Sequence, residues 1–165
     1  MTVHTTYFGG LPSLDVETGT VLAVVRRPHD FINDATERNI RTLAPSEDLL
    51  TAYKQVEEAA ENDGERLPAK VAWESVSFEP RYRRRLQNHV DANRALSKLR
   101  NRLRNGETLT LVCWEKNPRW CHRRVLADVL VEPFADIDVE HHPEPFVPEP
   151  EPRDASLTTF GGDGA

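Results

Sequence analysis

Continuous apolar runs alternate along the chain with segments whose apolar residues recur every three to four positions. Thr20 to Val25 and Thr108 to Cys113 are runs of β-branched and apolar residues, which is typical of strands buried on both faces of a parallel sheet. Thr2 to Phe8 alternates weakly and ends at Gly9-Gly10, which indicates another short strand. The pattern therefore predicts strands at these three places.

Helical spacing occupies most of the chain between and after these runs. We predict helices at residues 47–61, about 68–75, about 80–88, from 91 to about 105, and about 120–131, with an edge strand at 137–140. Ser46 is expected to cap the first helix, because a serine hydroxyl accepts hydrogen bonds from the unpaired N–H groups of the first turn. Residues 29–45 are polar and receive no assignment.

Strands that alternate with helices in this order predict an α/β fold with a mostly parallel sheet flanked by helices. The 165 residues suit one domain, which we place at residues 1–140. Residues 141–165 are rich in Pro, Glu and Gly, a composition that buries too little apolar surface to fold. We therefore expect a disordered acidic tail there.

The net charge of −6 conceals an uneven distribution. Residues 132–165 hold nine acids and one base, whereas the segment from Arg81 to Arg124 holds 13 bases and three acids. Such a basic segment attracts an anion or a nucleic-acid backbone, or it forms an ordinary solvated helix face. An abundance of arginine and of acids is also what a salt-adapted source would produce.

The chain shows no feature of a membrane or secreted protein. No apolar run approaches the roughly 20 residues of a membrane span, and the N-terminal residues lack the pattern of a secretory signal. We therefore expect a cytoplasmic protein without a membrane partner. The two cysteines, eight residues apart, should be thiols in a reducing compartment.

Side chains suited to chemistry cluster around the last predicted strand, loop and helix. Cys113 and Glu115 lie at the carboxyl end of the strand, where parallel sheets bind ligands. Cys121 and His122 open the next helix, whose unpaired N–H groups and dipole favour anions, including a thiolate. These four are the candidate catalytic residues. Cys121 is expected to be the thiolate, with Glu115 or His122 moving protons.

Arginines flank the same unit. Arg123 and Arg124 follow in the helix, and Arg26 and Arg27 end the strand that begins at Thr20. If the two strands are parallel, all four emerge at one edge of the sheet, where the planar guanidinium suits a phosphate or a carboxylate. The two glycines after the first strand would let a ligand approach the backbone closely. The expected ligand is therefore a small anion or a nucleotide.

Structural roles compete with these assignments. Cys113, at the end of an apolar strand, fits a small core residue, and Glu115 would also cap the helix or pair with Arg123. A zinc set would combine Cys113, Cys121 and His122 with His141 or His142, but structural zinc sites space paired ligands two to four residues apart. We therefore assign no metal ion and no cofactor.

The motif around the two cysteines resembles a known signature. The run Leu111-Val-Cys113-Trp-Glu115, followed by Pro118-Arg-Trp-Cys121-His122-Arg123, is similar to that of the domain of unknown function 488 family. Its members carry a strand ending in Cys-x-Glu and a helix opening with Cys-His-Arg. The strand end at 24–28 and the segment 73–86 also fit, so the resemblance covers roughly residues 3–131. Salt-adapted archaeal members look most similar.

The resemblance implies a three-layer α/β fold of Rossmann-like type and does not specify a reaction. Family members place a full helix between the first two strands. Here only Leu11 to Gly19 is available, and it contains Pro12, so a helix of that length is not expected.

Three hypotheses follow for function. The leading one is an enzyme that acts on a small anionic or nucleotide-type substrate. The second is a non-enzymatic nucleic-acid or regulatory binding module that uses the basic segment. The third is a redox sensor in which Cys113 and Cys121 form a reversible disulfide, which requires Cα atoms within about 7 Å.

Overall fold

A computed structural model describes residues 1–29 and 32–148. Within this part of the chain, the strands are β1 (Thr2–Tyr7), β2 (Thr20–Ala23), β3 (Arg38–Asn39), β4 (Leu109–Cys113) and β5 (Asp138–His141). The α-helices are α1 (Ile32–Ala35), α2 (Glu47–Asn62), α3 (Pro68–Ser75), α4 (Phe78–Asn88), α5 (Val90–Arg104) and α6 (His122–Val131).

The strands form one parallel sheet in the order β3-β2-β4-β1-β5. Every residue of the central strand β4 is buried, as its unbroken apolar run predicted. Helices flank the sheet, and α6 packs against β1, β4 and β5. The predicted α/β, Rossmann-like fold with a parallel sheet is confirmed.

Local features of the sequence account for the start of α2, the buried face of α6 and the start of α4. Ser46 caps α2 by accepting a hydrogen bond from the Leu49 N–H at 3.2 Å, as its position predicted. The apolar stripe of α6 is buried against the sheet. Helix α4 begins at Phe78, two residues earlier than predicted, after Ser77 adopts the left-handed conformation.

The connection between β1 and β2 contains no full α-helix, in agreement with the short interval in the sequence. A 3-10 helix, Phe8–Ser13, takes its place, and Gly19 then brings the chain back to the sheet with a φ of +60°. A Cβ at Gly19 would lie 2.1 Å from the carbonyl oxygen of Thr108. This close approach allows the Thr20 N–H to donate to that same oxygen at 2.9 Å.

Ordered contacts continue past residue 140, where the predicted domain ends. His141 belongs to β5, and the His142 N–H donates to the carbonyl oxygen of Thr5 at 2.8 Å. Asn117 Nδ2 donates to the carbonyl oxygen of Phe146 at 2.7 Å. The rest of the predicted tail, 149–165, lies outside the described residues. Among the described helices, none has the length and apolar character to cross a membrane.

Candidate functional site

A cavity of about 370 Å³ opens beyond the carboxyl ends of β2 and β4, and we call it the edge cavity. Its wall comes from the end of β2, from α2 and from the segment after β4. The lining residues are Val25, Arg26, Arg27, Pro45, Glu47, Leu50, Thr51, Lys54, Gln55, Glu58, Trp114, Glu115 and His122. The carboxyl edge of a parallel sheet is where such folds bind ligands.

Four of the predicted site residues reach this cavity. Arg26 and Arg27 line this cavity together with Glu115 and His122. Their common location was expected only if the two strands were parallel, and β2 and β4 are parallel neighbours. The contribution of α2, including Lys54, was missed by sequence reasoning. The polar face of that helix is visible in the sequence, but its docking over the sheet edge depends on tertiary packing.

The two cysteines form a buried pair behind the cavity wall. Both are free thiols, and their Sγ atoms lie 2.7 Å apart. Cys113 is fully buried and Cys121 is 2% exposed. Neither belongs to the residues that line the edge cavity.

The surroundings of Cys121 favour its protonated thiol form. Its Sγ lies 3.7 Å from Glu115 Oε2 and 4.0 Å from His122 Nδ1. Burial raises the pKa of Cys121 well above its ordinary value, and the neighbouring Cys113 and Glu115 raise it further, while Arg123 opposes them. Desolvation and a nearby carboxylate therefore oppose the expected thiolate at Cys121, which stays a prediction.

The hydrogen bond of His122 defines its protonation. Nε2 lies 2.6 Å from the carbonyl oxygen of Val24, which only accepts, so Nε2 carries the proton. Burial lowers the pKa of His122, which favours the neutral ring. Nδ1 is therefore left with a lone pair on the side of Cys121, and it can accept a proton.

The four predicted anion-binding arginines do not all converge, since Arg123 and Arg124 do not line the edge cavity. Arg123 is fully buried; its Nε donates to Thr5 Oγ1 at 3.1 Å, and its terminal nitrogens donate to the carbonyl oxygens of Glu115 and Lys116. Arg124 pairs with Glu79 at 2.9 Å. Internal acceptors engage both guanidinium groups, and neither residue lines the edge cavity, so their role in an anion site stays a prediction without support from this geometry.

The glycines after β1 accommodate a side chain of the protein itself. A Cβ at Gly10 would lie 2.6 Å from the Tyr7 ring, and a Cβ at Gly9 would lie 2.9 Å from it. The Tyr7 ring therefore occupies the space that the sequence suggested for a ligand.

Many bases of the segment from Arg81 to Arg124 are engaged within the fold. Arg83 pairs with Glu79 and Glu132, and Arg102 pairs with Glu37 and Glu107. Arg85 and Arg100 donate to backbone carbonyl oxygens. These contacts reduce the positive surface that the charge count alone suggested.

Two groups of side chains within the described residues have the donors and the spacing for a metal ion: Cys113, Glu115 and Cys121, and separately His4, Glu140 and His142. The histidines that the sequence added to a zinc set lie elsewhere: His141 contacts Thr5, and His142 contacts His4.

A family model described as DUF488-N3a, the active DUF488-N3 subclade, matches residues 6–133. This interval contains the cavity and the cysteine pair, and it agrees with the resemblance noted in the sequence. No curated protein and no solved structure matches the chain.

Proposed function

The chain belongs to the DUF488 family, and we propose that this member is an enzyme for a small anionic, nucleotide-type substrate bound in the edge cavity. The composition of the cavity wall carries the proposal. Arg26, Glu115 and His122 come from three separate segments and face one space of about 370 Å³. A cavity of roughly 300–1,000 Å³ with a few convergent polar groups is typical of small-molecule sites.

Arg26 is the group best placed to hold an anion. Its Nε donates to the carbonyl oxygen of Pro45 at 2.7 Å, and no other residue of the described part of the chain accepts a hydrogen bond from its two terminal nitrogens, which could therefore bind a ligand. Burial, and then the nearby positive charge of Arg26, lower the pKa of Arg85. An anion bound at Arg26 would reduce this repulsion.

Trp114 adds a flat apolar surface to the same wall. Its side chain is 38% exposed, and its ring lies 4.5 Å from the Phe8 ring and 5.2 Å from the His29 ring. Aromatic rings bind nucleobases by stacking. A partly exposed indole near Arg26 therefore favours a ligand with both a planar group and a negative charge.

Glu115 and His122 are the proposed proton-transfer groups. Both line the cavity, and carboxylate and imidazole side chains are the groups that most often transfer protons in active sites. Cys121 is buried behind them as a thiol. The placement therefore favours acid–base roles for Glu115 and His122 over a nucleophilic role for Cys121.

Isothermal titration of the protein with adenosine monophosphate, and separately with inorganic phosphate, tests the ligand class. We expect the nucleotide to bind more tightly than phosphate, and Arg26→Gln to weaken its binding at least about tenfold through loss of a charge-assisted hydrogen bond. Arg84→Gln, at an exposed arginine of α4, is the matched control and should bind as the wild type does. Equal binding by wild type and Arg26→Gln would contradict the proposal.

Catalysis is tested separately from binding. The protein is incubated with a panel of nucleotides, and products are detected by mass spectrometry. Glu115→Gln should bind the ligand yet form no product, since it keeps the shape of the side chain and removes its acid–base function. Unchanged turnover in Glu115→Gln would remove that residue from the proposed mechanism.

The close approach of the sulfur atoms favours a second candidate function, a reversible dithiol–disulfide couple. Cys113 and Cys121 have Sγ atoms 2.7 Å apart, and a disulfide bond of about 2.05 Å requires little further movement. Hydrogen peroxide would accept two electrons and two protons from the thiols, so that one S–S bond forms and two water molecules leave.

The pH dependence of this oxidation follows from the state of Cys121. Because its pKa is raised, little thiolate is present near pH 7, and disulfide formation should accelerate as the pH rises to about 9. Peptide mapping without reductant, after peroxide treatment, measures the Cys113–Cys121 bond, and Cys121→Ser is the control that lacks it. Sulfinic acid on either cysteine, without a disulfide, would exclude the couple.

A further inference from the structure

A second cluster of ligating side chains lies at the β1–β5 edge of the sheet. His4 and Glu140 are register partners on the two strands, so their side chains project from the same face. His142 follows Glu140 by two residues, and its backbone N–H is fixed to the carbonyl oxygen of Thr5 at 2.8 Å. None of the three lines the edge cavity.

Three donor atoms of this cluster meet at one point. His4 Nδ1 lies 3.1 Å from His142 Nε2 and 3.4 Å from Glu140 Oε2. The distance between His142 Nε2 and Glu140 Oε2 is 3.9 Å. A tetrahedral zinc ion with ligand bonds of about 2.0–2.2 Å holds its donor atoms about 3.3–3.6 Å apart. The observed separations bracket these values, so small side-chain rotations would bring all three onto one ion.

We propose that His4, Glu140 and His142 bind one divalent transition-metal ion, for which zinc is the best match. Two imidazoles and a carboxylate are the donors that zinc takes when three protein ligands leave a fourth position to water. The side chain of Glu140 is 51% exposed and that of His142 is 25% exposed, which leaves a path from solvent, while His4 is almost fully buried.

A hydrogen bond between the two imidazoles explains only part of this arrangement. Such a bond uses one nitrogen of each ring and places no requirement on a carboxylate. Here one oxygen of Glu140 approaches both of those nitrogens within 3.9 Å. Convergence of a third donor on the same two atoms is what a shared cation would require.

The neighbouring histidine provides a matched control. His141 projects from the opposite face, where its Nδ1 lies 2.7 Å from Thr5 Oγ1. Substitution of His141 therefore removes an imidazole next in sequence to the cluster without removing a proposed ligand. Glu140→Gln is the safest test of the cluster itself, because the exposed side chain contributes little to the core.

Isothermal titration calorimetry of the full chain with zinc tests the site. We expect one ion per chain, at least about tenfold weaker binding in Glu140→Gln and His142→Gln, and wild-type binding in His141→Gln. Circular dichroism of each variant confirms that its fold is retained.

Titration with cobalt(II) separates this cluster from the cysteine pair. Ligation by histidine and carboxylate should give visible bands without the strong thiolate charge-transfer absorption. Absence of metal binding would overturn the proposal. So would a thiolate–cobalt band that persists in Glu140→Gln, since it would place the ion at Cys113, Glu115 and Cys121.

Discussion

Arg123 links the segment after β4 to the neighbouring strand β1. It is fully buried and spans from Thr5 on β1 to the carbonyl oxygens of Glu115 and Lys116. The loop after β4 therefore takes its path from this guanidinium. Since Glu115 belongs to that loop, Arg123 positions a wall of the cavity without lining it.

Replacement of Arg123 should destabilise the fold. Arg123→Met would leave two carbonyl oxygens and the Thr5 hydroxyl short of a donor, and we expect a loss of about 3 kcal/mol in the free energy of unfolding. Arg124→Met removes a partly exposed ion pair with Glu79 and should cost about 1 kcal/mol or less. Urea denaturation measures both. Equal losses in the two variants would show that Arg123 has no special structural role.

Cys121 shows how tertiary contacts change the chemistry that a local motif indicates. The sequence placed it at a helix start, where the dipole lowers a thiol pKa, and it is indeed the N-cap residue of α6. The sequence did not reveal that Cys113 and Glu115 would lie against its sulfur or that the site would be almost closed to water. Desolvation then outweighs the dipole.

At the scale of elements, the sequence predicted what local patterns determine. β4 and α3 have strong signals, an unbroken apolar run and a proline at the first helical turn, and both were found where expected. α1 has four residues and β3 has two, which is too short for a periodic pattern. β3 exists because it pairs with β2, Leu22 beside Arg38, and such a contact leaves no local signal.

In the candidate site, too, some features follow from the local sequence and others depend on tertiary packing. Arg26 and Glu115 were predicted correctly at one edge, because parallel strands place their carboxyl ends together. The contribution of α2 to the cavity and the diversion of Arg123 into the interior depend on how elements pack in three dimensions. A single sequence carries no periodicity that reports either of them.

At the scale of the whole molecule, two regions carry the positive charge that the proposed anionic partner would need. One is the edge cavity, and the other is the basic segment from Arg81 to Arg124. Several arginines of that segment pair with acids or donate to backbone carbonyls within the described residues. Arg26 lies in the concave wall of the edge cavity, which is why we propose the ligand there and not on the basic segment.

The central claim is that a nucleotide-type anion binds in the edge cavity. The most direct test is to titrate ¹⁵N-labelled protein with adenosine monophosphate and to record the amide chemical shifts. The account predicts that the largest shifts cluster around the edge cavity, at Arg26, Lys54, Trp114 and Glu115, and that they vanish in Arg26→Gln. Shifts confined to the exposed arginines of α4 and α5, or no shifts at all, would contradict it. The former result would favour a module that binds nucleic acid through its basic face.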